Sequence, residues 1–148
     1  MDILLFTSDK LNGSENMSKE KIRDRFHQYN KAVAKLKEAL KEEPGNPLLY
    51  DGVIQRFEFT YELAWKLMKS YLESEGIADK DSPRRAFKEA FAAGLITDGQ
   101  VWIDMIGDRN LTVHTYNEQL AKDMYERIKH NYFSVFLDFR DRMEAEFC

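Results

Sequence analysis

A chain of 148 residues can bury one helical core but not two independent ones. Its 43% apolar and 32% charged residues exclude a disordered polymer, and no stretch reaches membrane-spanning length. A formal charge of -4, from 26 acidic and 22 basic residues, argues against a broad coat for nucleic acid while leaving room for a small basic pocket.

The first 18 residues stand apart from the rest. Ile3-Leu4-Leu5-Phe6 is too short to span a bilayer and lacks the basic lead-in of a signal peptide. Residues 1–18 therefore read as a leader, either disordered or docked on a neighbour, and residues 19–148 as the helical domain. Ser18 is the candidate N-cap of a first helix whose seam is Ile22, Phe26, Tyr29, Val33, Leu36 and Leu40, alternating steps of four and three. Pro44-Gly45 ends it.

Asn46-Pro47 opens the second helix as cap plus proline at the first helical position. Its apolar residues, from Leu49 through Phe57, Leu67 and Tyr71, are broadened by Phe59, Tyr61 and Trp65, as expected for the middle of a bundle or a subunit interface. Gly76 is the candidate C-cap. Ser82-Pro83 repeats the opening signal for a short helix holding Ala86, Phe87, Ala90 and Phe91, which stops at Gly94. Thr97 with Gln100 suggests a capping box for a fourth run carrying Trp102 and Met105, with a break expected at Gly107. A second box, Thr115 with Glu118, opens the last helix, whose seam runs Leu120, Met124, Ile128, Tyr132, Val135, Phe139 and Met143. No segment alternates as a half-buried strand does. The expected fold is all-α, an up-and-down bundle of four to five helices.

Most chemical motifs are missing. There is no glycine-rich phosphate loop, and the three histidines and one cysteine (Cys148) are scattered, so no metal set is expected. A lone cysteine also rules out an intrachain disulfide and suggests a reducing, cytoplasmic setting. The carboxylate pairs Glu58-Glu62 and Asp104-Asp108 read as solvated helix faces. One cluster differs: Asp108, Arg109, Asn110, His114 and Tyr116 gather within nine residues around an expected helix-to-helix junction. An arginine fork, an imidazole and the first turn of the next helix together suit one phosphate. Histidine also moves protons near neutral pH, which fits metal-independent cleavage of RNA. The plainer reading is that Arg109 favours a helix C-terminus while His114 and Tyr116 fill a junction.

The blocks Gln55–Lys66, Ser82–Ile96 and Asp108–Asn117 resemble the nucleotidyltransferase substrate-binding protein family of the HEPN superfamily, in matching order over residues 19 to 143. The resemblance implies a homodimer encoded beside a minimal nucleotidyltransferase that acts as its antitoxin. It further implies a composite ribonuclease site, with RNA as substrate, Arg109 binding phosphate and stabilising charge, and His114 transferring a proton or orienting the phosphate. Asp108 and Asn110 would support them. Tyr116 would accept AMP from ATP, the partner's AMP donor; the chain itself would need no cofactor and no membrane. The family's older reading is a non-catalytic subunit that presents a nucleotide or acceptor to a two-chain nucleotidyltransferase, with the same residues lining a pocket. A third is a helical dimer whose polar junction only stabilises the interface.

Overall fold

The computed structural model describes the backbone of residues 2–114 and 116–147 and the side chains of residues 18–113 and 116–147. All regular structure among them is helical: α1 (Asp2–Leu40), α2 (Pro47–Ser74), α3 (Pro83–Ala92), α4 (Gly99–His114), α5 (Glu118–Arg127), a π-helical turn (Ile128–Tyr132) and α6 (Phe133–Phe147). Because the π turn joins α5 to α6 without a break, five rods make the bundle, as the sequence leads one to expect.

Local signals place most boundaries. The Asn46 side chain accepts from the Leu48 N–H at 2.9 Å, and Ser82 accepts from the Arg85 N–H at 3.3 Å, so both cap-plus-proline openings form. At the far end of α2, Gly76 takes φ +78° and the Ile77 N–H reaches the Leu72 carbonyl at 3.0 Å, a left-handed stop that suits glycine.

Four boundaries differ from expectation. Helix α1 begins at Asp2 rather than after Ser18, because residues 2–18 contain helix formers and no proline to stop backward propagation. Helix α4 begins at Gly99, and the Trp102 N–H donates to the Asp98 carbonyl, which puts Asp98 rather than Thr97 at the cap position. Helix α4 also runs through Gly107 unbroken; the glycine costs about 1 kcal/mol relative to alanine, and beyond it Asp108, Arg109 and Thr112 tie the helix to its neighbours. Thr115 and Cys148 lie outside the described residues, and the cap of α5 is Asn117, whose side chain accepts from the Leu120 N–H at 2.8 Å.

The π turn has a packing reason. The seam steps by four from Leu120 to Tyr132, and each such step overshoots one α-helical turn by about 40°. A locally wider turn takes up that drift, so that Ile128, Tyr132, Val135 and Phe139 all reach the core. Phe91 behaves otherwise: it is 54% exposed and lies across the start of α4, where a side chain at Gly99 would come within 3.3 Å of its ring.

The core is dense in aromatics. Trp102 meets Phe87, Phe136 and Phe139 with ring centroids 5.1, 5.6 and 5.9 Å away, which ties α3, α4 and α6 together. Tyr29 of α1 donates to the Phe136 carbonyl at 2.6 Å, and Phe57 of α2 stacks on Tyr132 at 5.5 Å.

Buried hydroxyls make the fold sensitive to alkali. Burial, with the Glu62 charge adding and Arg109 opposing, pushes Tyr61 up to about 12, and burial raises Tyr29 as well. The folded chain thus keeps these protons where an unfolded tyrosine, at pKa ~10, releases them. Stability present below about pH 10 should therefore fall as pH rises towards 12, by up to ~1.4 kcal/mol per pH unit for each such tyrosine. Denaturant melts of Tyr61→Phe should show a shallower fall over this window; a slope equal to that of the unsubstituted chain would refute the assignment.

Candidate functional site on helix α4

Helix α4 carries the residues singled out from sequence, and its neighbours clamp it from two sides. Towards α2, Arg109 Nη2 lies 3.6 Å from Glu62 Oε1, both side chains about one-third exposed (34% each). The other Glu62 oxygen accepts from Trp65 Nε1 at 3.0 Å. One turn along α4, the Thr112 hydroxyl sits 2.8 Å from both Glu58 Oε1 and the Arg109 carbonyl, sharing its single proton between them. On the other side of α4, Asp108 accepts from Arg127 Nη1 at 2.7 Å and from the Tyr132 hydroxyl of the π turn. Burial, followed by the hydrogen bond to Asp108 and its charge, raises the Tyr132 pKa. The clamp leaves Arg109 with little freedom, and its Nε is buried with no partner among the described residues.

These contacts revise the carboxylate reading. Glu58 and Glu62 are not a solvated face; they point at α4. Asp108 is only 16% exposed and is bound to the last helix, whereas Asp104 is exposed and accepts from Gln100 at 2.9 Å. The roles of Glu62, Thr112, Arg127 and Tyr132 as contacts of the site escaped the sequence reading because helical spacing gives a residue's face without naming its neighbour.

The junction also differs from expectation. Arg109 lies within α4, and His114 is the last residue of that helix, where exposed carbonyls rather than N–H groups point outward. The side chain of His114 lies outside the described residues. The N-terminal turn of α5 lies further on and is already served by Asn117 and Glu118, so it is not the anion nest that the sequence suggested. His114 stands five positions after Arg109, which places their backbones about 140° apart around the axis and roughly 7.5 Å along it. Asn110 is exposed, as are Leu111 (40%), Val113 (56%) and Tyr116 (57%), giving the end of α4 and the following loop a bare, partly apolar rim.

Among the described residues, no group of three His, Cys, Asp or Glu side chains is placed to hold a metal, and no helix is long and apolar enough to cross a membrane.

The described residues form an all-α bundle with Arg109 and His114 both on its fourth helix. The chain belongs to the family described as nucleotidyltransferase substrate binding protein like, which it matches over residues 24–145. A Haemophilus influenzae protein named Probable ribonuclease HepT is 40% identical over 84 residues, so the match spans 54% of this chain and 58% of that relative. The crystal structure of a Thermus thermophilus protein is 35% identical, with a TM-score of 0.66 over 80% of this chain and 98% of that one. A tri-AMPylated HEPN toxin from Shewanella oneidensis, in complex with an MNT antitoxin, shares the fold at 20% identity and a TM-score of 0.70, over 84% of this chain and 96% of that one.

Proposed function

We propose that the protein is the HEPN-type toxin subunit of a two-component system, a metal-independent endoribonuclease that acts as a homodimer. The observation that carries this reading is the hold on Arg109: a guanidinium on a clamped helix, paired at 3.6 Å to one carboxylate and beside an exposed rim. Such a group can exchange a weak ion pair for a phosphate. His114 accepts the proton of an RNA 2′-hydroxyl as its oxygen attacks phosphorus, and the bond to the 5′-oxygen breaks as that oxygen takes a proton from water, leaving a 2′,3′-cyclic phosphate and a 5′-hydroxyl. Arg109 stabilises the charge gathering on the phosphoryl oxygens. Asp108 acts through its clamp on α4, and Asn110 offers an amide to the phosphate or to a water. The 140° offset between Arg109 and His114 favours a site completed by a second copy of the chain.

Tyr116, exposed in the loop after α4, is the acceptor for neutralisation. A cognate minimal nucleotidyltransferase directs the tyrosine oxygen onto the α-phosphate of ATP, pyrophosphate leaves, and the added nucleotide blocks RNA by bulk and negative charge. Support comes from the name of the Haemophilus relative and from the modified state of the Shewanella toxin. The family's own description favours a second reading, a non-catalytic subunit that presents a substrate to the nucleotidyltransferase.

The two readings part in one assay: cleavage of mixed RNA in a chelator by the wild-type protein, by His114→Ala, and by wild type and Tyr116→Phe pre-incubated with the partner and ATP. The expected result is cleavage by wild type, a loss of about 10²–10⁴-fold in His114→Ala, and silencing by ATP of wild type but not of Tyr116→Phe. Folded dimers that cut nothing in any arm would instead establish the substrate-presenting subunit.

A further inference from the structure

The net negative charge of the chain conceals a basic groove between α1 and α2. It encloses about 360 Å³ and is lined by Ala32 and Lys35 of α1 and by Gly52, Gln55, Arg56 and Phe59 of α2. Small residues make its floor: Ala32 is buried, and nothing lies within 4 Å of where a Gly52 side chain would begin. Lys35, Gln55 and Arg56 are exposed, and among the described residues neither cation makes an ion pair. Phe59 is 61% exposed, an aromatic face held in water on a rigid helix.

Three features give the groove a direction. Through Gly52 and Arg56 it adjoins a second hollow bearing Glu38 and Glu42, an end that repels a polyanion. In the other direction, Lys66 lies two turns beyond Phe59 on the same face of α2, with Arg25 of α1 donating to its carbonyl at 2.7 Å. Phe59 also sits one turn from Glu62 and about 60° around the α2 axis from it, and Glu62 is the partner of Arg109. Of the carboxylates nearest Phe59 on α2, Glu58 is turned onto the Thr112 hydroxyl and Glu62 onto Arg109 and the Trp65 indole, so both are directed towards α4.

We infer that this groove is the approach track for single-stranded RNA, with Lys35 and Arg56 on phosphates and Phe59 stacking on a base beside Arg109. The inference deepens the ribonuclease reading and rests on it for the identity of the polyanion. The chemistry is that of sequence-tolerant single-strand binding, in which cations follow the backbone and an exposed aromatic takes a base face. A duplex, with its bases already stacked, does not use Phe59 in this way.

The test is the binding of a fluorescein-labelled single-stranded RNA of about 12 nucleotides to His114→Ala protein, read by anisotropy over a salt series. On this background Phe59→Leu should weaken binding on the order of tenfold and Phe59→Tyr should restore it, stacking being worth ~1–3 kcal/mol per base. Lys35→Glu/Arg56→Glu should weaken binding further and flatten the slope of log K against log[salt] by about 1.4, two phosphate contacts at ~0.7 each. Lys122→Glu, on exposed α5, should bind as the parent does. Sedimentation of every variant shows whether the dimer persists. Parental affinity in the Phe59→Leu and double variants would overturn the track, even if the wild-type protein cuts RNA. So would a dimer that dissociates in those variants, which would make the groove an interface between copies. Groove-dependent binding by a wild-type protein that cuts nothing would uphold the track and remove the ribonuclease reading alone.

Discussion

Arg109→Ala is expected to lower RNA cleavage by about 10²–10³-fold, the usual cost of deleting one group that stabilises transition-state charge, while leaving the fold nearly as stable as before. The second half follows from the contacts of the side chain. Its ion pair with Glu62 is long, at 3.6 Å, and one-third exposed, a geometry worth about 0–1 kcal/mol. Glu62 is not orphaned by the change, because its other oxygen keeps the Trp65 indole, and the buried, unpartnered Nε of Arg109 disappears with the side chain. Arg109→Lys should recover only part of the rate, since an ammonium supplies a point charge without the planar fork that grips two phosphoryl oxygens. The measurement is single-turnover cleavage alongside a thermal melt. Wild-type rates from a folded Arg109→Ala dimer would end the role assigned to this residue.

Trp102→Ala should have the largest effect on stability, about 3–5 kcal/mol. The indole is fully buried and forms the common contact of Phe87, Phe136 and Phe139. Its loss opens a cavity where three helices meet, and two rigid helices cannot collapse into it. Set against a typical total of ~5–15 kcal/mol, that loss is a large fraction of the stability, with a melting temperature lower by roughly 6–20 °C. Because Trp102 anchors the same helix that holds Arg109, cleavage should fall at temperatures where the bulk of the chain is still folded. Urea melts followed by the fluorescence of Trp65 provide the measurement, and a loss under 1 kcal/mol would show that α4 is held by something other than this cluster.

The core seams of α1 and the last helix were legible because helical periodicity is a property of one segment: Ile22, Phe26, Tyr29, Val33 and Leu36 are all buried, as are Met124, Ile128, Val135, Phe139 and Met143. Cap-plus-proline openings at Asn46 and Ser82 were legible for the same reason, since a capping side chain and its N–H lie within three residues. Extent along the chain was less so. Gly107 looked like a break and Ser18 like a start, yet contacts of Asp108, Arg109 and Thr112 beyond the glycine hold one helix together, and no proline interrupts the other.

The identity of the site residues was visible as a cluster, and their relation to one another was not. Sequence by itself determined an all-helical chain with one dense polar motif containing Arg109, His114 and Tyr116. It also determined which face of each long helix is apolar. Only the tertiary structure decided that Glu62 restrains Arg109 and that Arg127 and Tyr132 hold Asp108. It alone set Lys35 and Arg56 beside an exposed Phe59, one turn from the site. The reason is physical: a helix repeats every 3.6 residues, so spacing reports the direction of a side chain, whereas its partner depends on how helices far apart in the chain pack together. Charge makes the point most plainly, for a chain with a net charge of -4 still gathers cations along a single groove.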